Sequence, residues 1–405
     1  MEKVLSVDKD CPMSKFSYQN AQMLFALINS VISRTEMSKE QKSEFCLDGI
    51  NSLVALADMH KVLPIITEGL FYNNLLAPFD KQAVALRRIQ YKEVCKNELR
   101  EHEFESICGA LETAGVEFVP LKGSVVRRFY PEPWMRTSCD IDILVRKSDV
   151  EKACSVLSEK AGYEIGQRSF HDVKIKTPSK INLELHFDLI EEKVKDNVSA
   201  ILSDAWNYTQ NVEGCKFRKE FTNEFFMLYH IIHMAKHMMI GGCGIRPFID
   251  LWYIRKNFES DQNLLDSMLQ KSNIVRFYEM ANHLCDVWFD GAPHNELTYE
   301  MQEFIIRGGI FGTTESAAIV NQSKGKDKKR QLFRLAFLPM ENMKLIYPNL
   351  NKRPWLLPFY HIKRWFRVFN RSKREKVNAY IGANDCVSQK SVDRVSKLMN
   401  DLELK

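Results

Sequence analysis

The chain has 405 residues, too many for one ordinary core, and its composition of 45% hydrophobic, 27% charged and 11% aromatic residues excludes extensive disorder. Its net charge is only +5, yet residues 323–376 hold sixteen Lys and Arg against three Asp and Glu, which makes this a local basic region rather than a basic protein. Ten singly scattered cysteines, no secretory leader at Met1 and no apolar run near the ~18 residues of a bilayer span predict reduced thiols, a cytoplasmic location and no membrane-spanning segment.

Apolar positions recur at helical spacing through Ala21–Ile28 and again around Leu53–Ala57, so the first hundred residues are expected to be helical. A longer helix is predicted from about Lys81 to Ala114, with Gly115 ending it and Val116–Leu121 forming a short strand. Gly123 and Ser124 start a short helix through Phe129, which Pro131 and Pro133 stop. Asp140–Val145 reads as the second strand, and Ser148-Asp149 caps a helix from Val150 to about Lys160, closed by Ala161-Gly162. His171–Lys176 and Ile181–Phe187 alternate cleanly around a Thr177-Pro178-Ser179 turn, which predicts a hairpin beside the Asp140 strand. From about Glu191 onward the pattern is helical throughout. The expected class is α+β, a small mixed sheet in residues 115–190 between a helical region, 1–114, and a helical domain with a basic segment, 191–405.

Side chains alternate across a strand, so Asp140 and Asp142 share one face while Ile141 and Ile143 share the other. Two adjacent carboxylates repel each other and call for a cation, and hard divalent ions prefer oxygen ligands. Asn182, Glu184 and His186 share a face in the same way, and if the two strands are neighbours Glu184 becomes a third carboxylate. Such a trio can hold two divalent ions about 3.5 to 4 Å apart, the clamp used for in-line phosphoryl displacement. Gly123 and Ser124 offer a close backbone approach and a hydroxyl for phosphate oxygens. Lys122, Arg127, Arg128 and Arg136 lie near enough in sequence to neutralise phosphate, and spacing alone does not rank them.

Leu121-Lys122-Gly123-Ser124, Tyr130-Pro131 with Arg136, Asp140-Ile141-Asp142-Ile143-Leu144-Val145 and Leu183-Glu184-Leu185-His186 resemble, in this order, the uncharacterised nucleotidyltransferase family of the DNA polymerase beta-like superfamily. The core of the resemblance runs from Val116 to Leu189, with weaker similarity through His233–His237, Asp250-Leu251 and Pro354–Arg367. The resemblance implies a mixed-sheet nucleotidyltransferase core. It implies that Gly123 and Ser124 form the phosphate-binding turn, that Asp140 and Asp142 are paired metal ligands and that Glu184 is the third carboxylate. NTP and Mg²⁺, or Mn²⁺ in its place, are the implied co-substrates. The expected activity is transfer of a nucleoside monophosphate from an NTP to an acceptor with release of pyrophosphate, Glu184 completing the metal site or taking the acceptor proton. Lys122 and Arg136 are expected beside the nucleotide, and Lys236 and His237 are read as nucleotide or acceptor contacts from the helical domain. The acceptor, whether small molecule, sugar, peptide or protein, is not written in the motifs. The fifteen residues between Ser124 and Asp140 exceed what the superfamily usually has there. The alternative is a catalytically silent nucleotide-binding module that docks through its basic C-terminal region.

Other features favour plainer readings. His186 is expected to support a carboxylate by hydrogen bonding, and Arg246 with Asp250, at i and i+4, reads as a surface ion pair. His230, His233 and His237 share a helical face, but no helical carboxylate is placed to complete a tetrahedral zinc site, so a structural role outranks a zinc hydrolase. Lys324–Arg330 reads as a solvated loop. In Pro354–Arg367 aromatics and cations interleave, for which core packing with snorkelling bases ranks ahead of a membrane-surface contact, and that ahead of nucleic acid.

Overall fold

The long helix expected before the sheet runs over Lys81–Ala114 and stops at Gly115, whose φ of 67° lies in the left-handed region that a side chain resists. The computed structural model describes residues 18–45, 49–159, 162–190, 196–309, 312–324, 337–368 and 387–404. Helices α1 (Tyr18–Ser33), α2 (Lys39–Ser43), α3 (Ile50–Met59), α4 (Leu63–Tyr72) and α5 (Lys81–Ala114) lead into the sheet. Strand β1 (Phe118–Pro120), the single turn α6 (Gly123–Val126), β2 (Asp140–Val145), α7 (Val150–Glu159), β3 (Glu164–Arg168), β4 (Asp172–Lys176) and β5 (Asn182–His186) follow. The predicted end of α7 at Ala161 lies outside the described residues.

The sheet order is β1-β2-β5-β4-β3. The β2–β5 pair is parallel and all other neighbours are antiparallel, so the sheet is mixed and the predicted hairpin does lie beside the Asp140 strand. One face carries Ile141, Ile143, Val145, Val173, Ile175, Leu183 and Leu185, packed against Phe104, Ile107 and Leu111 of α5 and Val150, Ala153 and Leu157 of α7. Each fully buried aliphatic there contributes roughly 1.5–3 kcal/mol. A one-residue slip of β2 or β5 would exchange these side chains for carboxylates, and that fixes the register which sets the acidic face.

Beyond the sheet come α8 (Asp196–Ser203), a small hairpin of β6 (Thr209–Asn211) and β7 (Lys219–Phe221), then α9 (Asn223–Ile240), α10 (Ile245–Asn257), α11 (Gln262–Lys271), α12 (Val275–Phe289), α13 (Glu296–Gly308) and α14 (Thr314–Ser323). The β6–β7 hairpin corrects the expectation of helix alone after residue 191. It lies against β1, whose Phe118 N–H donates to the Phe217 carbonyl at 3.2 Å. Helices from before and after the sheet share one apolar core. In it Phe25 of α1 stacks on Trp288 of α12 at 4.7 Å, and the Asn29 amide donates to the Trp288 carbonyl at 2.7 Å. Val119, Leu121, Val126 and Leu144 belong to this core too, so the helices cover the β1 side of the acidic face. No described helix is long and apolar enough to cross a membrane.

Candidate active site

Pairing of β2 with β5 sets Asp142 opposite Glu184 and Asp140 opposite Asn182, all on the face away from the aliphatic layer. His186, one pleat beyond Glu184, turns back so that its Nε2–H donates to Asp142 Oδ1 at 3.0 Å, and the same nitrogen is 3.8 Å from Glu184 Oε2. Two carboxylate oxygens, of Asp142 and Glu184, and a His186 ring nitrogen lie within 4.8 Å of one another, the only such triple among the described residues, and that nitrogen becomes a ligand only without its proton. Asp140 stands on the same face outside that triple. Two facing carboxylates with an imidazole form an oxygen-rich donor set that suits a hard or borderline divalent cation such as Mg²⁺ or Mn²⁺.

Two lysines lean on these carboxylates. Lys122 Nζ is 3.3 Å from Asp142 Oδ1, and Lys174 Nζ is 3.3 Å from Glu184 Oε1. Burial alone would raise the Asp142 carboxyl, but Lys122 and the His186 hydrogen bond hold it far below the usual carboxylate range. Asp140 moves the other way: burial, then the charges of Asp142 and Glu184, push it up against the pull of Lys122 and Arg136. One face therefore carries a carboxylate content to be ionised beside one that resists ionisation.

Ahead of the aspartates, Lys122 has φ 44° and ψ −114°, an unfavourable backbone conformation for a side-chain-bearing residue that turns the chain sharply into α6. Gly123 is required next to it, because a Cβ there would stand 2.1 Å from Arg136 Nη1. Arg136 cannot yield, since its Nε and Nη2 donate to Asp250 of α10 at 3.2 and 2.8 Å, and the Tyr130 hydroxyl donates to the same carboxylate at 2.7 Å. Asp250 is only 2% exposed. The expected surface pair with Arg246 is thereby corrected: Asp250 is the buried anchor of the Arg136 loop, and Arg246 instead donates to the Thr137 carbonyl at 2.7 Å. Arg127, also buried, donates to the Gly123 carbonyl at 2.9 Å, to Asn97 Oδ1 at 3.0 Å and to Ser138 Oγ at 3.2 Å. Burial, with the nearby charges of Arg100 and Arg136, pushes its guanidinium down to about 9.

Ser124 lines a cavity of about 290 Å³ between α6, β7 and the ends of α9 and α10, with Arg128, Lys219, Phe129, Phe226 and Phe258 among its walls. Lys236 and His237 lie in the last turns of α9, where the His237 and His233 rings meet with Nε2 atoms 3.0 Å apart. His230 turns its Nε2 to the Pro247 carbonyl at 2.9 Å, so the three histidines do not converge. Of the expected carboxylates the structure brings Asp142 and Glu184 together, places Asp140 on the same face outside their triple, and adds His186, expected only as a hydrogen-bonding support. Sequence reasoning missed the bracing residues Asn97, Asp250 and Arg100, the last donating to the Ser138 carbonyl, for which i,i+4 spacing gave a misleading signal or none.

A sequence model described as an uncharacterised nucleotidyltransferase matches residues 48–290, a span that includes the whole five-stranded sheet, the Arg136–Asp250 anchor and helices α9 to α12. No curated protein and no solved structure matches the chain. With more than half of its length matched by that model, and with the sheet and acidic face expected of such a core, the chain belongs to the uncharacterised nucleotidyltransferase family.

Proposed function

We propose that the protein transfers a nucleoside monophosphate from an NTP to an acceptor hydroxyl, with release of pyrophosphate and dependence on Mg²⁺ or Mn²⁺. The observation that carries this reading is the facing of Asp142 and Glu184 across parallel β2 and β5, with Asp140 on the same face and the Gly123 turn leading into it. Asp140 and Asp142 would hold the cation, with His186 at their side and Glu184 facing them as the base. When bound, the cation supplies charge neutralisation for the α-phosphate and the departing pyrophosphate. His186 and Lys122 keep Asp142 anionic and oriented. Lys122, on its flexible stem, is within reach to exchange the carboxylate for a phosphate oxygen. The acceptor oxygen forms a bond to the α-phosphorus as the bond to the bridging oxygen breaks, and the electron pair leaves with pyrophosphate. The acceptor proton passes to Glu184, whose side chain is 25% exposed against 8% for Asp142 and so is the carboxylate an incoming acceptor meets.

A second reading has its own observation. Lys122 and Lys174 already neutralise Asp142 and Glu184, which suits a nucleotide-binding module without turnover. Incubation of the full chain with α-labelled NTPs, Mg²⁺ and a cell extract distinguishes the two. The enzyme labels an acceptor and releases pyrophosphate, and Asp142→Asn lowers both by at least about a hundredfold, the scale of losing one electrostatic stabiliser. Nucleotide binding without pyrophosphate release supports the silent module.

A further inference from the structure

Near the C-terminal end of the described chain, a single turn at Pro354–Leu356 leads into a helix over Leu357–Val368. One side of this segment is used internally. Leu357 and Tyr360 pack on Met343, Tyr347 and Leu350, the Tyr347 and Tyr360 rings lie 4.5 Å apart, and His361 is buried. The other side carries Trp355, Phe359, Ile362 and Phe366, spaced four, three and four residues apart, which aligns them in one stripe along the helix. They are 70%, 59%, 47% and 69% exposed. The expected core packing of this segment therefore holds for Leu357 and Tyr360 and fails for Trp355, Phe359 and Phe366, which are exposed.

The charge around the stripe has one sign. From residue 342 to residue 368 the sequence has six Lys and Arg and no Asp or Glu. Lys352, Arg353 and Lys363 are exposed beside the stripe. A narrow row of large apolar side chains flanked only by cations is the pattern of a helix that lies in a bilayer interface, with rings at headgroup depth and ammonium and guanidinium groups reaching up to lipid phosphates. A single-stranded nucleic acid would use cations and rings as well, but there stacking platforms alternate with phosphate contacts along a groove. Here the row is continuous, includes an aliphatic residue that cannot stack, and sits on one convex helix. With no described helix able to span a bilayer, the contact is one of surface only.

We propose that the Trp355–Phe366 stripe and its flanking cations form a docking surface for an anionic lipid bilayer. The test is co-sedimentation of the full chain with extruded vesicles of phosphatidylcholine alone, or containing one quarter phosphatidylglycerol, at about 0.1 M salt. The protein pellets with the anionic vesicles and stays in solution with the neutral ones. Phe359→Ser combined with Phe366→Ser lowers partitioning about tenfold or more, as does reversal of Lys352, Arg353 and Lys363 to Glu. Melting curves of the variants are compared with the parent's, and Phe359→Ser, at a residue 59% exposed, is read singly if the pair does not fold. Absent or lipid-independent partitioning, or partitioning that the serine variants leave unchanged, overturns the proposal. So does tighter, stripe-dependent capture of single-stranded RNA, or a concentration-dependent dimer that the serine variants dissolve.

Discussion

Gly123→Ala tests whether the glycine that opens α6 is there to admit Arg136. The new methyl carbon would stand 2.1 Å from Arg136 Nη1 and 2.9 Å from its Cζ, so something must move by more than an ångström. One route drags Arg136 off Asp250 and leaves a buried carboxylate uncompensated, at roughly 3–5 kcal/mol. The other shifts the turn backbone, at roughly 1–3 kcal/mol. The cheaper route dominates, and a gain of up to about 1 kcal/mol from alanine in α6 offsets part of it, leaving a net loss of about 1–2 kcal/mol. Urea unfolding followed by circular dichroism measures this. The decisive comparison is the same substitution in an Arg136→Met, Asp250→Asn background, where the obstacle and its anchor are both gone. There Gly123→Ala is neutral or stabilising, giving a coupling energy of about 2 kcal/mol. An equal loss in both backgrounds, or none in the parent, would refute the account.

Three further outcomes follow from the charges. The raised Asp140 carboxyl means that ionising it in the fold costs stability as pH rises from the ordinary carboxylate value through the folded one, so Asp140→Asn raises the melting temperature of EDTA-treated protein at neutral pH while shrinking the shift that Mg²⁺ produces. Asp250 is depressed, because its bonds to Arg136 outweigh burial. Its contribution is complete above the ordinary carboxylate range and is lost as pH falls through the folded value, and Asp250→Asn therefore flattens the acid limb of stability while lowering its plateau. His60 is the third case. Burial pushes it down to about 4, and its bonds need one tautomer: Nδ1 accepts from the Ile245 N–H at 3.2 Å while Nε2–H donates to the Ile306 carbonyl at 3.2 Å. Protonating Nδ1 breaks the first bond, so about 3 kcal/mol present above pH ~6.5 is lost between there and pH ~4, a slope that His60→Gln removes from urea midpoints measured across that window.

What was legible in the sequence was whatever local periodicity controls. The alternation in Asp140–Val145 and Asn182–His186 dictated which side chains share a face, and the aliphatic layer then left one register in which Asp142 meets Glu184. Gly115 ended α5 for a reason visible in its type. Strand β3 was not legible, because Glu164–Arg168 is exposed at all five positions, contains a glycine and sits at an edge where backbone pairing needs no apolar pattern. The three-residue strands β6 and β7 are too short to show a period. Asp250 was misread for a different reason. Spacing four residues from Arg246 is a sufficient condition for a helical pair only when nothing else competes, and Arg136, 114 positions earlier, offers two parallel donors that a single i+4 contact does not match.

That competition also explains how a connection of fifteen residues between Ser124 and Asp140 can still be held in place. A free loop of this length would let the Gly123 turn wander relative to Asp140, and a site assembled from both would lose its geometry. The connection is anchored instead at each of its stages. Arg127 ties the turn carbonyl to Asn97 of α5 and to Ser138, Tyr130 and Arg136 grip Asp250 of α10, Thr137 donates to the Lys61 carbonyl while accepting from Arg246, and Ser138 Oγ donates to the Asp140 carbonyl at 3.0 Å. The anchors come from helices on both sides of the sheet in sequence, which share one core. The helical flanks are therefore part of what holds the turn against the aspartates. Loosening the helical body at α10 should reach the site through Arg136 before it reaches the sheet, whose own core lies on the opposite face.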